Sequence, residues 1–191
     1  VPIAHGLGPA IQRLLGILVV DIAQDGDAKA GLLARLELAE AHAAAGLVAS
    51  IYEWDWLKAE RHLDRATQMA PSYAPAWVWK AYVLSCTGRP GISRAAMDQA
   101  YSLDPLSVAT NFDAGFHGWQ LRDRRRAVLL LSRALEFEPS LWGAAYLLGA
   151  IHFYGSDLAA AATAWRQVSA LGPGWTQVVA RLERPAAGAE A

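Results

Sequence analysis

The sequence predicts an all-α fold, a superhelix of antiparallel helix hairpins, and two observations lead to this prediction. Proline recurs four times at a spacing of 34 residues, at Pro71, Pro105, Pro139 and Pro173. A similar apolar phase precedes each proline, with a small residue five positions ahead of the first three at Ala66, Ala100 and Ala134. Proline lacks a backbone N–H and fixes φ, so it stops a helix from continuing. A helical unit repeated at this period stacks on its neighbours as a solenoid.

Composition and charge limit the class of protein. A chain of 191 residues with 54% apolar residues can bury the core of one domain. The formal net charge of −1 gives the chain no overall basic excess, so nucleic acid is not an expected partner of this segment. A single cysteine, Cys86, excludes an internal disulfide and favours a cytoplasmic location. The longest nearly uncharged stretch, residues 141–154, is too short to span a membrane.

Residues 1–38 are predicted to form a lead-in and a degenerate helical hairpin. The chain begins with Val1 rather than methionine, so the native N-terminus need not be present. Apolar residues recur at helical spacing after Pro9, and Asp25-Gly26-Asp27 is a turn signal before a second helical pattern. Leu36 stands where the repeat period would place a proline, which makes this hairpin irregular.

Four repeats are predicted after the lead-in, over residues 39–73, 74–107, 108–141 and 142–173. Antiparallel helices approach closely only where one of them presents a small residue. Gly115 and Gly149 occupy such crossing positions, and we expect Leu131 and Trp165 of the second helices to fill the gaps. Residues 174–191 are predicted to form a capping helix, which would cover the apolar face of the last repeat, and a frayed tail.

The first repeat contains one residue more than the others. Ala59 lies thirteen positions after Gly46, whereas Ala127 lies twelve positions after Gly115. We therefore expect an insertion near the turn Tyr52-Glu53-Trp54-Asp55-Trp56, which makes this repeat 35 residues long.

Over residues 39–173 the four in-phase units resemble tetratricopeptide repeats. The resemblance implies a right-handed superhelix, a tetratricopeptide-type α-solenoid that holds peptides on its concave face. The motifs Tyr52-Glu53-Trp54-Asp55-Trp56, Gly88-Arg89 and Leu103-Asp104-Pro105-Leu106-Ser107 are similar to the C-terminal repeat region of bacterial multidomain regulators. The N-terminal partners in those regulators are winged-helix activators, nucleotide cyclases or serine/threonine kinases. None of these modules is visible in this sequence.

Sequence motifs for catalysis, cofactor binding or metal binding are missing. The five histidines form no HExxH or HxH pair, and one cysteine cannot build a zinc cluster. Gly6-Leu7-Gly8-Pro9 lacks the Lys-Ser/Thr that a phosphate-binding loop requires. No serine lies in a Gly-x-Ser-x-Gly elbow. We therefore predict a protein that is not an enzyme and needs no cofactor or metal.

One face of the first helices predicts a partner-binding groove. Positions 5, 9 and 12 share a face by i, i+4, i+7 spacing. In repeats two to four they hold Ala150 and the eight predicted groove residues Val78, Tyr82, Ser85, Phe112, Phe116, Trp119, Tyr146 and Phe153. The resemblance implies that this face lines the concave surface. Core packing is the alternative, since an aromatic stripe at helical spacing is more often core than site. The groove hypothesis rests on the opposite face, which already carries the packing residues Trp77, Ala81, Gly115 and Gly149.

A run of arginines marks the turn of the third repeat, with Arg122, Arg124, Arg125 and Arg126 around Asp123. One interpretation is a solvated turn with Asp123 as helix N-cap. The other is a docking patch for an acidic partner. A single such turn in a neutral chain does not favour nucleic acid.

The same groove positions disfavour capture of a C-terminal carboxylate. Family members that do this present lysine and asparagine from the groove, whereas Lys29, Lys58, Lys80 and Asn111 form no such set by phase. We expect a protein or peptide partner that is apolar or helical. The leading hypothesis is a non-catalytic interaction scaffold, the sensing part of a bacterial regulator. The alternative is the C-terminal fragment of a regulatory enzyme or transcription factor whose activity lies upstream, and the oligomeric state stays open.

Overall fold

A computed structural model describes residues 39–169 and 173–183, and within these ranges the protein is entirely helical. Nine α-helices follow one another in this part of the chain: α1 (Ala39–Val48), α2 (Trp56–Met69), α3 (Ala74–Cys86), α4 (Pro90–Leu103), α5 (Val108–Gln120), α6 (Arg124–Phe137), α7 (Trp142–Tyr154), α8 (Leu158–Ser169) and α9 (Pro173–Leu182). The all-α prediction is confirmed for these residues. The predicted lead-in hairpin at residues 1–38 and the tail at 184–191 lie outside them.

The chain divides into two compact units, Val1–Pro105 and Leu106–Ala191. In the first unit α1 pairs with α2 and α3 pairs with α4, and α3 also contacts α1 and α2. In the second unit α5 pairs with α6 and α7 pairs with α8. Helix α6 also contacts α7, and α9 packs against α8. Each unit is therefore a stack of helix hairpins.

The turn inside each hairpin places one residue in the left-handed region. These residues are Trp54 (φ 54°), Gly88 (φ 75°), Arg122 (φ 59°) and Ser156 (φ 62°), and they recur every 34 residues. In three turns the next residue is an aspartate whose carboxylate accepts a hydrogen bond from a backbone N–H in the first turn of the second helix: Asp55, Asp123 and Asp157. The predicted N-cap role of Asp123 is confirmed, with 3.1 Å to the backbone nitrogen of Arg126.

In the remaining turn, Arg89 occupies the position of these aspartates. Its guanidinium donates two hydrogen bonds to the Glu60 carboxylate of α2, at 2.7 and 2.6 Å. These hydrogen bonds hold the pKa of Glu60 below its usual value. The ion pair joins the second hairpin of the first unit to the first hairpin.

The extra residue of the first repeat is absorbed by a π-helical turn. Helix α1 continues as the π-helix Ala49–Glu53 before the left-handed Trp54 ends it. A π-turn holds one residue more than an α-turn, so the insertion widens the helix locally. The predicted insertion therefore lengthens this turn without disrupting the hairpin.

Small residues and large side chains meet where the helices of a hairpin cross. A Cβ added to Gly115 would lie 2.8 Å from Leu131 Cγ, and one added to Gly46 would lie 2.7 Å from Leu63 Cγ. Leu63 and Leu131 are fully buried. Glycine is therefore required at these crossings, because any Cβ would force the leucine to move.

Alanine and leucine make up most of the buried core in both units. In the first unit Ala59, Leu63 and Ala66 of α2 pack with Ala76 and Val83 of α3. In the second unit one cluster lies between α6 and α7, and another joins α7, α8 and α9. Among the described helices, none is both long and apolar enough to cross a bilayer.

Candidate functional site

The predicted groove residues of the first unit lie on α3. Val78 is only 4% exposed, which corrects its assignment to a partner-binding surface. The physical reason is that α3 contacts α1, α2 and α4, so more than one of its faces is covered. Tyr82 and Ser85 are half-buried, and the Tyr82 ring lies 6.1 Å from the Trp79 ring, centroid to centroid. This unit therefore presents little of the predicted aromatic stripe.

The predicted groove residues of α5 have a packing role. The rings of Phe112 and Phe116 are parallel to within 4°, with centroids 6.5 Å apart. Together with Trp119 they are partly buried against the core cluster that includes Leu131 and Ile151. A Cβ added to Gly143 of α7 would touch Phe112 at 3.6 Å. These contacts favour the core interpretation for this part of the stripe.

Helix α7 carries three exposed aromatic side chains. Tyr146 is 40% exposed, Phe153 is 42% exposed and Tyr154 is 74% exposed. The Tyr154 ring stacks on Trp119 at 6.0 Å and meets Phe153 edge-to-face at 5.9 Å. We name Trp119, Tyr146, Phe153 and Tyr154 the aromatic patch. Sequence periodicity missed Tyr154, which lies one position beyond the i, i+4, i+7 series.

The backbone under the aromatic patch is fixed by α8. The Trp165 indole donates a hydrogen bond from Nε1 to the Tyr146 carbonyl at 2.9 Å. Its ring also lies 5.7 Å from the Phe153 ring, and Trp165 is only 7% exposed. The buried Trp165 side chain thus holds the Tyr146 backbone and the Phe153 ring in place, while the Tyr146 and Phe153 side chains remain exposed.

Arg124 of the α5–α6 turn lies beside the end of α7 that carries the aromatic patch. Arg122, Arg124 and Arg125 are exposed, and Arg126 is half-buried. A Cβ placed on Gly155 would overlap the Arg124 guanidinium, so this cation lies against the turn that directly follows Tyr154. Cationic and aromatic groups are therefore neighbours on the second unit.

The described lysines and the single asparagine are engaged inside the chain. Lys58 is paired with Glu53 at 2.6 Å, and Lys80 with Asp64 at 2.8 Å. Asn111 is fully buried, and its Nδ2 donates a hydrogen bond to a backbone carbonyl at 2.8 Å. Lys29 lies outside the described residues. These contacts support the prediction that terminal-carboxylate capture is not the binding mode.

Comparison with known proteins identifies the fold but not a family. Neither the known family models nor the curated proteins include a match to this chain. Among solved structures, PilW, described as a widely conserved type IV pilus biogenesis factor, is similar with a TM-score of 0.68 and 19% identity over 84% of this chain and 77% of that chain. YrrB, described as a tetratricopeptide repeat protein with an unusual peptide-binding site, is similar with a TM-score of 0.61 and 16% identity. This match covers 91% of this chain and 84% of that chain.

A mutant O-GlcNAc transferase from Thermobaculum terrenum is also similar, with a TM-score of 0.61 and 22% identity over 69% of this chain and 25% of that chain. At these identities the likeness concerns the fold alone. The fold is that of a tetratricopeptide-type α-solenoid, as the 34-residue period predicts. The finer resemblance to the C-terminal regions of bacterial regulators stays a prediction.

Proposed function

We propose that this chain is a non-catalytic protein-interaction scaffold. Its second unit binds, at the aromatic patch, a peptide or helix that carries apolar anchor residues flanked by acidic residues. The observation that carries the proposal is the exposure of Tyr146, Phe153 and Tyr154 on one helix, at 40%, 42% and 74%. Clustered exposed aromatic side chains are unusual on a surface that meets only water.

The chemistry of the patch favours an apolar anchor. Aromatic rings bury a large area while losing few rotamers, so they commonly supply most of the binding energy of an interface. Trp165 already holds Phe153 and the Tyr146 backbone in place. Because these groups are already held in place, binding costs little further conformational entropy in the scaffold, which favours affinity.

The arginines of the α5–α6 turn favour acidic residues in the partner. Arg122 and Arg125 are exposed, and Arg124 lies next to the Tyr154–Gly155 end of α7. Complementary charge accelerates encounter and selects against basic partners. A segment with leucine or aromatic anchors and flanking Asp or Glu therefore fits both features.

The fold supports this class of function, and it also keeps the alternative open. YrrB is described as having a peptide-binding site, which agrees with a role in binding. The matched part of the O-GlcNAc transferase is 25% of that chain, so the same fold can be one portion of a larger enzyme. A C-terminal sensing part of a bacterial regulator is the corresponding proposal for this chain. Sequencing the uninterrupted reading frame upstream of Val1 tests it, since an absence of any catalytic or DNA-binding module would contradict it.

A matched pair of phenylalanines tests the aromatic patch. Peptides are selected from a random display library on the full chain, and the affinity of the recovered peptides is measured by fluorescence anisotropy. Phe153→Ala should weaken binding by about 1–3 kcal/mol. Phe137→Ala is the control, because Phe137 is 41% exposed but lies on α6 outside the patch. Equal effects of the two substitutions on affinity would contradict the proposed site.

Two further variants separate binding from packing. Arg122→Gln combined with Arg125→Gln should weaken peptide binding at low salt and have little effect at high salt, because exposed charges are screened. Phe116→Ala should instead lower folding stability by about 2–3 kcal/mol, somewhat below the cost for a fully buried phenylalanine. If Phe116→Ala leaves urea unfolding unchanged but abolishes peptide binding, the groove interpretation of α5 is correct and the packing interpretation is wrong.

A further inference from the structure

Two histidines on different helices of the first unit face each other across the α1–α2 hairpin. His42 of α1 and His62 of α2 bring their Nδ1 atoms to 3.1 Å. The ring centroids lie 5.3 Å apart, with the ring planes inclined at 42°. Both side chains are half-buried, so the pair is partly open to solvent.

We propose that His42 and His62 form a two-nitrogen chelate for a divalent transition-metal ion, with water in the remaining coordination positions. A metal–nitrogen distance of about 2.0–2.1 Å puts two imidazole nitrogens about 3.3 Å apart at a tetrahedral ion and about 2.9 Å apart at cis positions of a square-planar ion. The 3.1 Å between the two Nδ1 atoms lies between these values. The separation of the two nitrogens therefore matches a shared ion, and a rotation of the imidazole rings would turn both lone pairs from each other toward it.

The protonation of the pair is compatible with metal binding. An Nδ1–Nδ1 hydrogen bond uses one N–H donor and one lone pair. When an ion binds, the donor ring transfers its proton from Nδ1 to Nε2 through water, so both Nδ1 lone pairs face the ion and no net proton is released. Burial lowers the pKa of both imidazoles, assisted by Arg65 at His42 and by His42 and Lys58 at His62. The neutral imidazole is the form that coordinates metals.

The ligand type restricts which ions can bind. Imidazole nitrogen suits Cu²⁺, Ni²⁺ and Zn²⁺, whereas Mg²⁺ and Ca²⁺ prefer oxygen ligands. The charged and titratable groups that act on His62 are His42, Lys58 and Arg61, opposed by Glu53. The described part of the chain contains no group of three or more His, Cys, Asp or Glu that could hold a metal. The site is therefore labile, with two protein ligands rather than a closed structural cage.

The expected consequence is stabilisation of the first hairpin. An ion bound to both histidines joins α1 to α2, and the unfolded chain does not hold the two rings together. A ligand of the native state alone stabilises it by mass action, so the melting temperature should rise with metal concentration. This effect is independent of the aromatic patch, which belongs to the other unit.

The experiment titrates Zn²⁺ alone into the full chain by calorimetry and records the electron paramagnetic resonance spectrum with Cu²⁺ alone. We expect one equivalent to bind, and splitting from two nitrogen ligands in the Cu²⁺ spectrum. His42→Gln and His62→Gln should each weaken Zn²⁺ binding at least tenfold and abolish the metal-dependent rise in melting temperature. His152→Gln, which removes another partly exposed histidine, should change neither.

The two readouts keep the proposal testable even if a histidine variant folds poorly. The Cu²⁺ spectrum of the unmodified chain requires no substitution, and splitting from a single nitrogen would overturn the chelate. Retention of Zn²⁺ affinity in both His42→Gln and His62→Gln, with circular dichroism showing normal helix content, would overturn it as well. A tenfold loss in His152→Gln would assign the ion to a different site.

Discussion

The indole of Trp165 occupies the space in which Gly149 would carry a Cβ atom. The ring cannot easily move away, because its Nε1 donates to the Tyr146 carbonyl at 2.9 Å and the side chain is 7% exposed. Helices α7 and α8 therefore approach each other as closely as a glycine permits. The same indole supports the aromatic patch, so packing of this hairpin and presentation of the candidate site depend on one side chain.

A single methyl group at this crossing should be enough to destabilise the protein. Gly149→Ala should lower the free energy of unfolding by about 1–3 kcal/mol through overpacking, despite the gain in helix propensity. Gly143→Ala is the control on the same helix, since its Cβ would meet Phe112 at an ordinary 3.6 Å. That control should be neutral or slightly stabilising in urea unfolding. If both variants lose the same stability, the Trp165 contact is not the cause.

The residues in the left-handed region predict that introducing glycine at one turn raises stability and that removing glycine from another turn lowers it. Ser156 has φ 62° and Gly88 has φ 75°. Ser156→Gly should raise stability by about 0.5–1 kcal/mol, because glycine adopts this conformation without a Cβ clash. Gly88→Ala should lower it by about 1 kcal/mol even though no atom lies within 4 Å of the added Cβ. Ser156→Ala keeps the backbone strain, so its thermal stability should stay close to that of the unmodified chain. If Ser156→Ala is stabilised as much as Ser156→Gly, the argument from backbone strain is wrong.

The ion pair of Glu60 and Arg89 should contribute a small, measurable coupling energy. The pair is bidentate, but its side chains remain 22% and 36% exposed, so water screens it. A double-mutant cycle of Glu60→Gln and Arg89→Gln should give a small favourable coupling. The coupling should fall at high salt. A coupling that does not depend on salt would mean that the two residues interact through packing instead of charge.

The candidate site shows where inference from the sequence ends. Helical spacing identified Tyr146 and Phe153 as sharing a face, and both are exposed. Val78 has the same position in its repeat as Tyr146. It is nevertheless only 4% exposed, because α3 is covered by three other helices. Tyr154 lies outside the series and is 74% exposed. Periodicity states which side chains share a face, but it does not state which neighbouring helix covers that face.

The all-helical hairpins, the crossing glycines and the extra residue near Trp54 follow from the sequence by itself. Each depends on local chemistry, namely proline stops, small residues at a fixed phase and the residue count between Gly46 and Ala59. Tertiary structure alone decided the approach of His42 to His62, which are 20 residues apart on different helices. It also decided that Arg124 borders the end of α7. Such contacts depend on how separate helices pack, and a one-dimensional pattern carries no information on distances between helices.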